Sequence, residues 1–86
     1  MEAAVDFTLK QLRVFLAVVD YGSSLAAARV LPVSQPAVSA ALAELEANLG
    51  VRLFDRYKKR MVLNDRGRAL LPMARLLADG QVLHYP

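Results

Sequence analysis

At 86 residues the chain suffices for one small domain, and its 56% hydrophobic content is enough for a packed core and too high for a disordered segment. The absence of cysteine excludes disulfides and thiolate metal sites and fits a reducing cytoplasm. The net charge of +3 is small but uneven: from Arg52 to Arg68 seven bases face two acids, while the remainder holds four bases and six acids. Such a cluster is the electrostatic signature of a polyanion partner; taken alone, a charge run is more often a solvated surface loop. The longest uninterrupted apolar run, Val14 to Val19, has six residues, far short of the ~20 that span a bilayer. The acidic start, Met1 to Asp6, lacks the basic residues of a signal peptide.

The first helix is expected to start at Thr8, which forms a T-x-x-Q capping box with Gln11, while Phe7 is placed to staple onto Leu12. Leu9, Leu12, Phe15, Leu16 and Val19 recur at helical spacing and predict an apolar core face, and Gly22 is a stop signal. Ser23 should cap a second helix that ends by Leu31, since Pro32 disfavours helical geometry before it. Small side chains at Ala27 and Ala28 allow that helix to approach the next one closely.

The third helix is expected over Gln35 to about Leu49, with Val38, Leu42, Leu45 and Leu49 on one stripe and Gly50 at its end. Ser34 can cap it, and Pro36 is tolerated because first-turn N–H groups have no intrahelical partner. Gln35, Pro36 and Ser39 are then presented at the helix N-terminus, where a recognition helix meets base edges. This is a helix-turn-helix pattern, placed at about residues 24–43, and it makes DNA the leading partner. Beside it, the basic cluster reads as a phosphate-contacting surface.

After Gly50 the pattern turns β-prone at Val51, Leu53 and Met61-Val62-Leu63, with Tyr57-Lys58-Lys59-Arg60 between. A hairpin with a basic tip, a wing at about 53–63, is expected, with Tyr57 packing at its base. Asn64 or Asp65 should cap a last helix, about 64–84, carrying Leu70, Met73, Ala74 and Leu77, with Leu76 or Leu83 beside them. Pro72 and Gly80 should kink or weaken it. That much apolar surface exceeds what a small core can cover and marks a contact surface. Leu70, Met73 and Leu77 are the candidates for a two-fold helix pair between two chains.

Gln35 can bond adenine in bidentate fashion, and Pro36 can pack on a thymine methyl. Ser34 combines a capping role with phosphate donation, and Ser39 lies one turn after Gln35 on the same face. Arg56, Lys58, Lys59 and Arg60 are candidates for phosphate or minor-groove contact. Nothing points to catalysis. The single histidine, His84, has no cysteine or clustered carboxylate near it, and Glu44 and Glu46 point to different faces of one helix. No metal-ligand spacing and no Gly-rich phosphate loop is present.

In its order and motifs the chain resembles the DNA-binding domain of LysR-type bacterial transcriptional regulators from about Leu9 to Leu77. The resemblance is carried by Leu9-x-x-Leu12-x-x-Phe15, Gly22-Ser23, Ala27-Ala28, Val33-Ser34-Gln35-Pro36-Ala37-Val38-Ser39, Leu45-Glu46-x-x-Leu49-Gly50-Val51-x-Leu53-Phe54-x-Arg56 and Leu63-Asn64-x-x-Gly67. It implies a mainly α fold: a winged helix-turn-helix of three helices and a short β-hairpin wing over 1–63, followed by a linker or dimerisation helix over 64–84. Members of this family carry a further effector-binding domain that is absent from this chain, which is expected to be a fragment ending after the linker helix. No cofactor is expected here, and a small-molecule effector belongs only to that further domain. The resemblance also implies binding to inverted repeats in double-stranded DNA near promoters, homodimers through the linker helix with assembly to tetramers in full-length proteins, and a cytoplasmic, nucleoid-associated location without membrane attachment.

Three positions depart from the family pattern. Ser24 stands where an aromatic or aliphatic residue is usual, and Leu25 is the candidate to supply the apolar contact in its place. Ala40 stands where arginine or lysine is common, and Ala41 where glutamine is; Ala40 can touch a thymine methyl but cannot bond guanine. Two rival readings are a molybdate-responsive-type winged-helix regulator and a winged-helix protein-interaction module, the latter of which predicts an acidic or neutral wing.

Overall fold

The computed structural model describes residues 8–58 and 60–78. The elements are α1 (Leu9–Tyr21), α2 (Ser24–Val30), α3 (Gln35–Leu49), β1 (Phe54–Tyr57), β2 (Arg60–Leu63) and α4 (Asp65–Ala78), with β1 and β2 antiparallel. The expected helix, helix-turn-helix, wing and final helix are all present in that order.

Local side-chain chemistry sets where the helices begin. The Thr8 hydroxyl accepts from the Gln11 N–H at 3.0 Å, and the Gln11 carboxamide oxygen accepts from the Thr8 N–H at 3.1 Å. This reciprocal pair satisfies donors that have no intrahelical acceptor. Ser23 and Ser34 accept from Ala26 N–H and Ala37 N–H at 3.0 and 3.2 Å. For α4 the cap is Asn64, whose Oδ1 accepts from Gly67 N–H at 2.9 Å. The helices α1 and α3 stop where Gly22 and Gly50 take left-handed φ angles of 88° and 75°, which a Cβ would disfavour. Leu31, extended before Pro32, closes α2. The proposed staple from Phe7 lies outside the described residues.

Helix α1 is central and packs against the other three. Phe15, Val18, Ala27, Val38, Leu45 and Ala74 are completely buried. Because residue 27 is alanine, α2 can approach closely, and α2 and α3 are bent by 113° relative to each other, within the range of a helix-turn-helix. Two carboxylates then fix α3. Glu44 accepts from the side-chain amide of buried Gln11 at 3.1 Å, tying α3 to α1. Glu46 accepts from Leu53 N–H at 2.7 Å, tying it to the start of the wing. They serve different faces, as their spacing predicts.

The structure corrects several details. Strand β1 starts at Phe54, after Val51 and Leu53. Leu53 is 1% exposed, and its backbone is used by Glu46 and by Asn64 N–H, which donates to its carbonyl at 3.0 Å. Tyr57 does not pack at the wing base: it is 63% exposed at the hairpin end. Phe54 fills that role, its ring centroid 5.6 Å from that of Phe15 at a 57° tilt. Helix α4 runs through Pro72 without interruption to Ala78, because buried Leu70 and Ala74 flank the proline and hold the helix by packing. Gly80 lies outside the described residues. Leu70 faces the protomer's own core at 9% exposure, whereas Met73 and Leu77 are half-exposed.

Gly67 marks where α4 meets the wing. It is buried, and a Cβ there would collide with the Leu53 carbonyl oxygen and the Leu63 side chain.

Candidate nucleic-acid interface

The capped N-terminal half of α3 has one buried and one open face. Val38, Ala41 and Leu42 point into the core, while Ser34, Gln35, Pro36, Ser39 and Ala40 are all exposed. The open face therefore carries hydrogen-bonding and small apolar groups but no charge. Its amide, hydroxyls and methyl-sized surface suit base edges; the attraction for a polyanion has to come from elsewhere.

That charge stands on the hairpin. Phe54 pairs with Leu63, Arg56 with Met61 and Tyr57 with Arg60, so two residues make the turn. Lys58, the first of them, has a left-handed φ of 49°, a geometry that two-residue hairpin loops favour. Its ammonium sits 5.4 Å from the Tyr57 ring centroid, a weak exposed cation–π contact that leaves the group free to meet phosphate. Arg56, Lys58 and Arg60 are all exposed. Lys59 lies outside the described residues.

The two groups of candidates meet in one depression, which Gln35 and Ser39 line together with Ser23, Ser24, Arg56 and Met61. Ser39 and Arg56 also border an adjoining depression that reaches Arg52. Not every base in the cluster points outward for a partner. Arg68 is engaged locally, paired with Asp65 and donating to the Leu63 carbonyl at 2.8 Å.

Sequence reasoning missed a direct link in this depression. The Ser24 hydroxyl donates to the Met61 thioether sulfur at 3.7 Å. Leu25, expected to supply the apolar packing that a serine at position 24 does not, is instead 49% exposed. The unusual serine was the only signal, and periodicity cannot pair residues 37 positions apart. Arg52 was visible only as one of the seven clustered bases.

On α4, Met73, Leu76 and Leu77 are 49%, 52% and 45% exposed. They leave an apolar face next to the one that docks on α1. Among the described residues no group of three His, Cys, Asp or Glu is placed to hold a metal ion, and no single helix is long and apolar enough to cross a membrane.

Comparison with known proteins agrees with this geometry. The family described as bacterial regulatory helix-turn-helix protein, LysR family, matches residues 9–68. Over 78 residues the chain is 52% identical to YeiE of Escherichia coli K12, an uncharacterized HTH-type transcriptional regulator, covering 91% of this chain and 27% of that protein. Among solved structures, oxidized OxyR of Corynebacterium glutamicum superposes with a TM-score of 0.86 at 34% identity, over 96% of this chain and 26% of that one. The DNA complex of the CbnR DNA-binding domain gives a TM-score of 0.78 at 39% identity, over 83% of this chain and 82% of that one. The chain thus spans about a quarter of the length of the curated relative.

Proposed function

The chain belongs to the LysR family of bacterial regulatory helix-turn-helix proteins and is a DNA-binding domain of that family; from this we propose that α3 reads a half-site in the major groove while the wing holds the flanking backbone. The observation that carries the residue assignment is the uncharged open face of α3 beside exposed Arg56 and the basic hairpin. Gln35 is the principal reader, through adenine N6 and N7, with Pro36, Ser39 and Ala40 adding contacts to thymine methyls and neighbouring groups. Ser34, Arg56, Lys58, Lys59 and Arg60 take phosphate, which fixes register without reading sequence.

Two protomers pair through Met73, Leu76 and Leu77, so that two recognition helices meet the halves of an inverted repeat. Leu70 leaves the partner-facing set because its own core already covers it. In a longer protein of this type, a small-molecule effector and assembly to tetramers belong to the part outside this chain, and the working compartment is the bacterial cytoplasm. The domain binds rather than catalyses. Selection of bound duplexes from a random pool tests the reading. The expected result is an enriched half-site repeated as an inverted pair; a pool that enriches no sequence would remove base reading by α3.

A further inference from the structure

We propose that Ser24 and Met61 are positioning residues for DNA binding: their hydrogen bond ties the first turn of α2 to the wing and holds Arg56 beside Gln35 and Ser39. The inference rests on the DNA-binding reading and deepens it.

An isolated two-stranded ribbon is marginally stable in water and takes its place from what it touches. The base of this wing is well fixed. Phe54 packs on Phe15, Glu46 holds Leu53 N–H, and the Asn64 side-chain amide donates to the Arg52 carbonyl at 3.0 Å. Arg56 stands two residues further out, exposed. Its cross-strand partner is Met61, and directly opposed residues of an antiparallel pair project from the same face of the ribbon. The Met61 sulfur is where the Ser24 hydroxyl bonds, at 3.7 Å. Ser24, Met61, Arg56, Gln35 and Ser39 line one depression. A shift of Met61 therefore carries Arg56 away from the helix that reads bases.

A thioether is a weak acceptor, so this bond contributes little to folding. Its effect falls on where the wing sits. An apolar residue at position 24 would pack without direction, whereas the hydroxyl points at one atom of β2.

The test measures binding of a selected cognate duplex across a salt series for the chain and for Ser24→Ala, Met61→Leu, Arg56→Ala and the double variant Ser24→Ala/Arg56→Ala. Ser24→Ala and Met61→Leu should each weaken binding about twofold, the low end of the range for removal of one hydrogen bond, because the acceptor is a thioether. Both should flatten the salt slope by part of the ~0.9 expected for one phosphate contact. Adding Ser24→Ala to Arg56→Ala should cost nothing more, since the serine acts through that arginine. Ser24→Thr, which keeps the hydroxyl, should restore binding, and thermal midpoints should stay close to the parent's. Should Ser24→Ala fail to fold, Met61→Leu carries the comparison. Losses that multiply between Ser24→Ala and Arg56→Ala, or no loss at all, would overturn the inference. A DNA-free arm separates it from the reading beneath it. In NMR spectra of the free chain, Ser24→Ala should move the Met61 methyl and Arg56 signals, and unmoved signals reject the coupling even where DNA binds. Failure of the parent chain to bind any duplex would instead reject the DNA-binding reading.

Discussion

Gln35 and Lys58 are both exposed and both polar, yet their removal should have different consequences. Gln35 sits in the first turn of α3, on the face that carries Ser39, and its amide matches the donor–acceptor pair of adenine. Lys58 sits at the hairpin turn as a point charge on a flexible stem. Gln35→Ala should cost ~1–3 kcal/mol at the cognate site and less on random DNA, whereas Lys58→Ala should weaken both about equally and lower the salt slope by about 1. Competition binding with cognate and scrambled duplexes distinguishes them, and the opposite pattern would mean that reader and anchor are exchanged. The exposure of Gln35 was legible in the sequence because a cap, a proline in the first turn and a buried stripe together fix which side of a helix is open. The contact between Ser24 and Met61 was not legible, because it depends on tertiary placement of the wing against α2. The same limit hid Tyr57: its aromatic ring suggested packing, but Phe54 had already taken the site against Phe15.

At the scale of elements, all four helices and the hairpin followed from caps, glycine stops and periodicity, while the start of β1 did not. Val51 and Leu53 have strand propensity, but Leu53 is drawn into the core and its backbone is committed to Glu46 and Asn64. Asn64 was read as a cap alone. It also bonds the Arg52 carbonyl, so one residue starts α4 and closes the wing base. Gly67 completes this joint. In a helix interior, glycine to alanine normally gains ~1 kcal/mol of propensity. Here the added methyl meets a backbone carbonyl and the Leu63 side chain, and a backbone oxygen cannot turn aside. Overpacking of this kind costs ~1–3 kcal/mol, so Gly67→Ala should destabilise the chain on balance. Denaturant titration of the two proteins measures the sign, and a stabilised Gly67→Ala would show that wing and α4 can separate without penalty. The apolar positions of α4 were found by spacing, but spacing alone did not divide them between the two sides of the helix. Leu70, Ala74 and Ala78 are buried; Met73, Leu76 and Leu77 are about half-exposed.

For the whole molecule, the proposed function rests on charge and on the exposed face of α4. The open face of the N-terminal half of α3 carries no charge, so the proposed DNA binding draws its attraction from bases carried mainly by the wing. Log K should fall by about 0.9 per phosphate contact as log salt rises, and an affinity unchanged between low and moderate salt would sink the proposed backbone contacts. The slope also depends on how many protomers bind together, which leads to α4. Its inner side is used within the protomer, and Asp20 pairs with Arg75 at 2.8 Å across α1 and α4. Three large side chains remain about half-exposed on the outer side. In the proposed dimer the same face on a second chain would meet it about a two-fold axis, and pairing would remove both apolar surfaces from water. Leu77→Glu should therefore convert dimer to monomer in sedimentation, since burying an unpaired carboxylate in that contact is unfavourable. Because Leu77 is 45% exposed in the protomer, the same change should leave each protomer folded. Leu70→Glu, by contrast, puts a charge into the core and should unfold the chain. A parent chain that stays monomeric at high concentration, and occupies the two halves of an inverted repeat independently, would show that the exposed face of α4 does not join two copies.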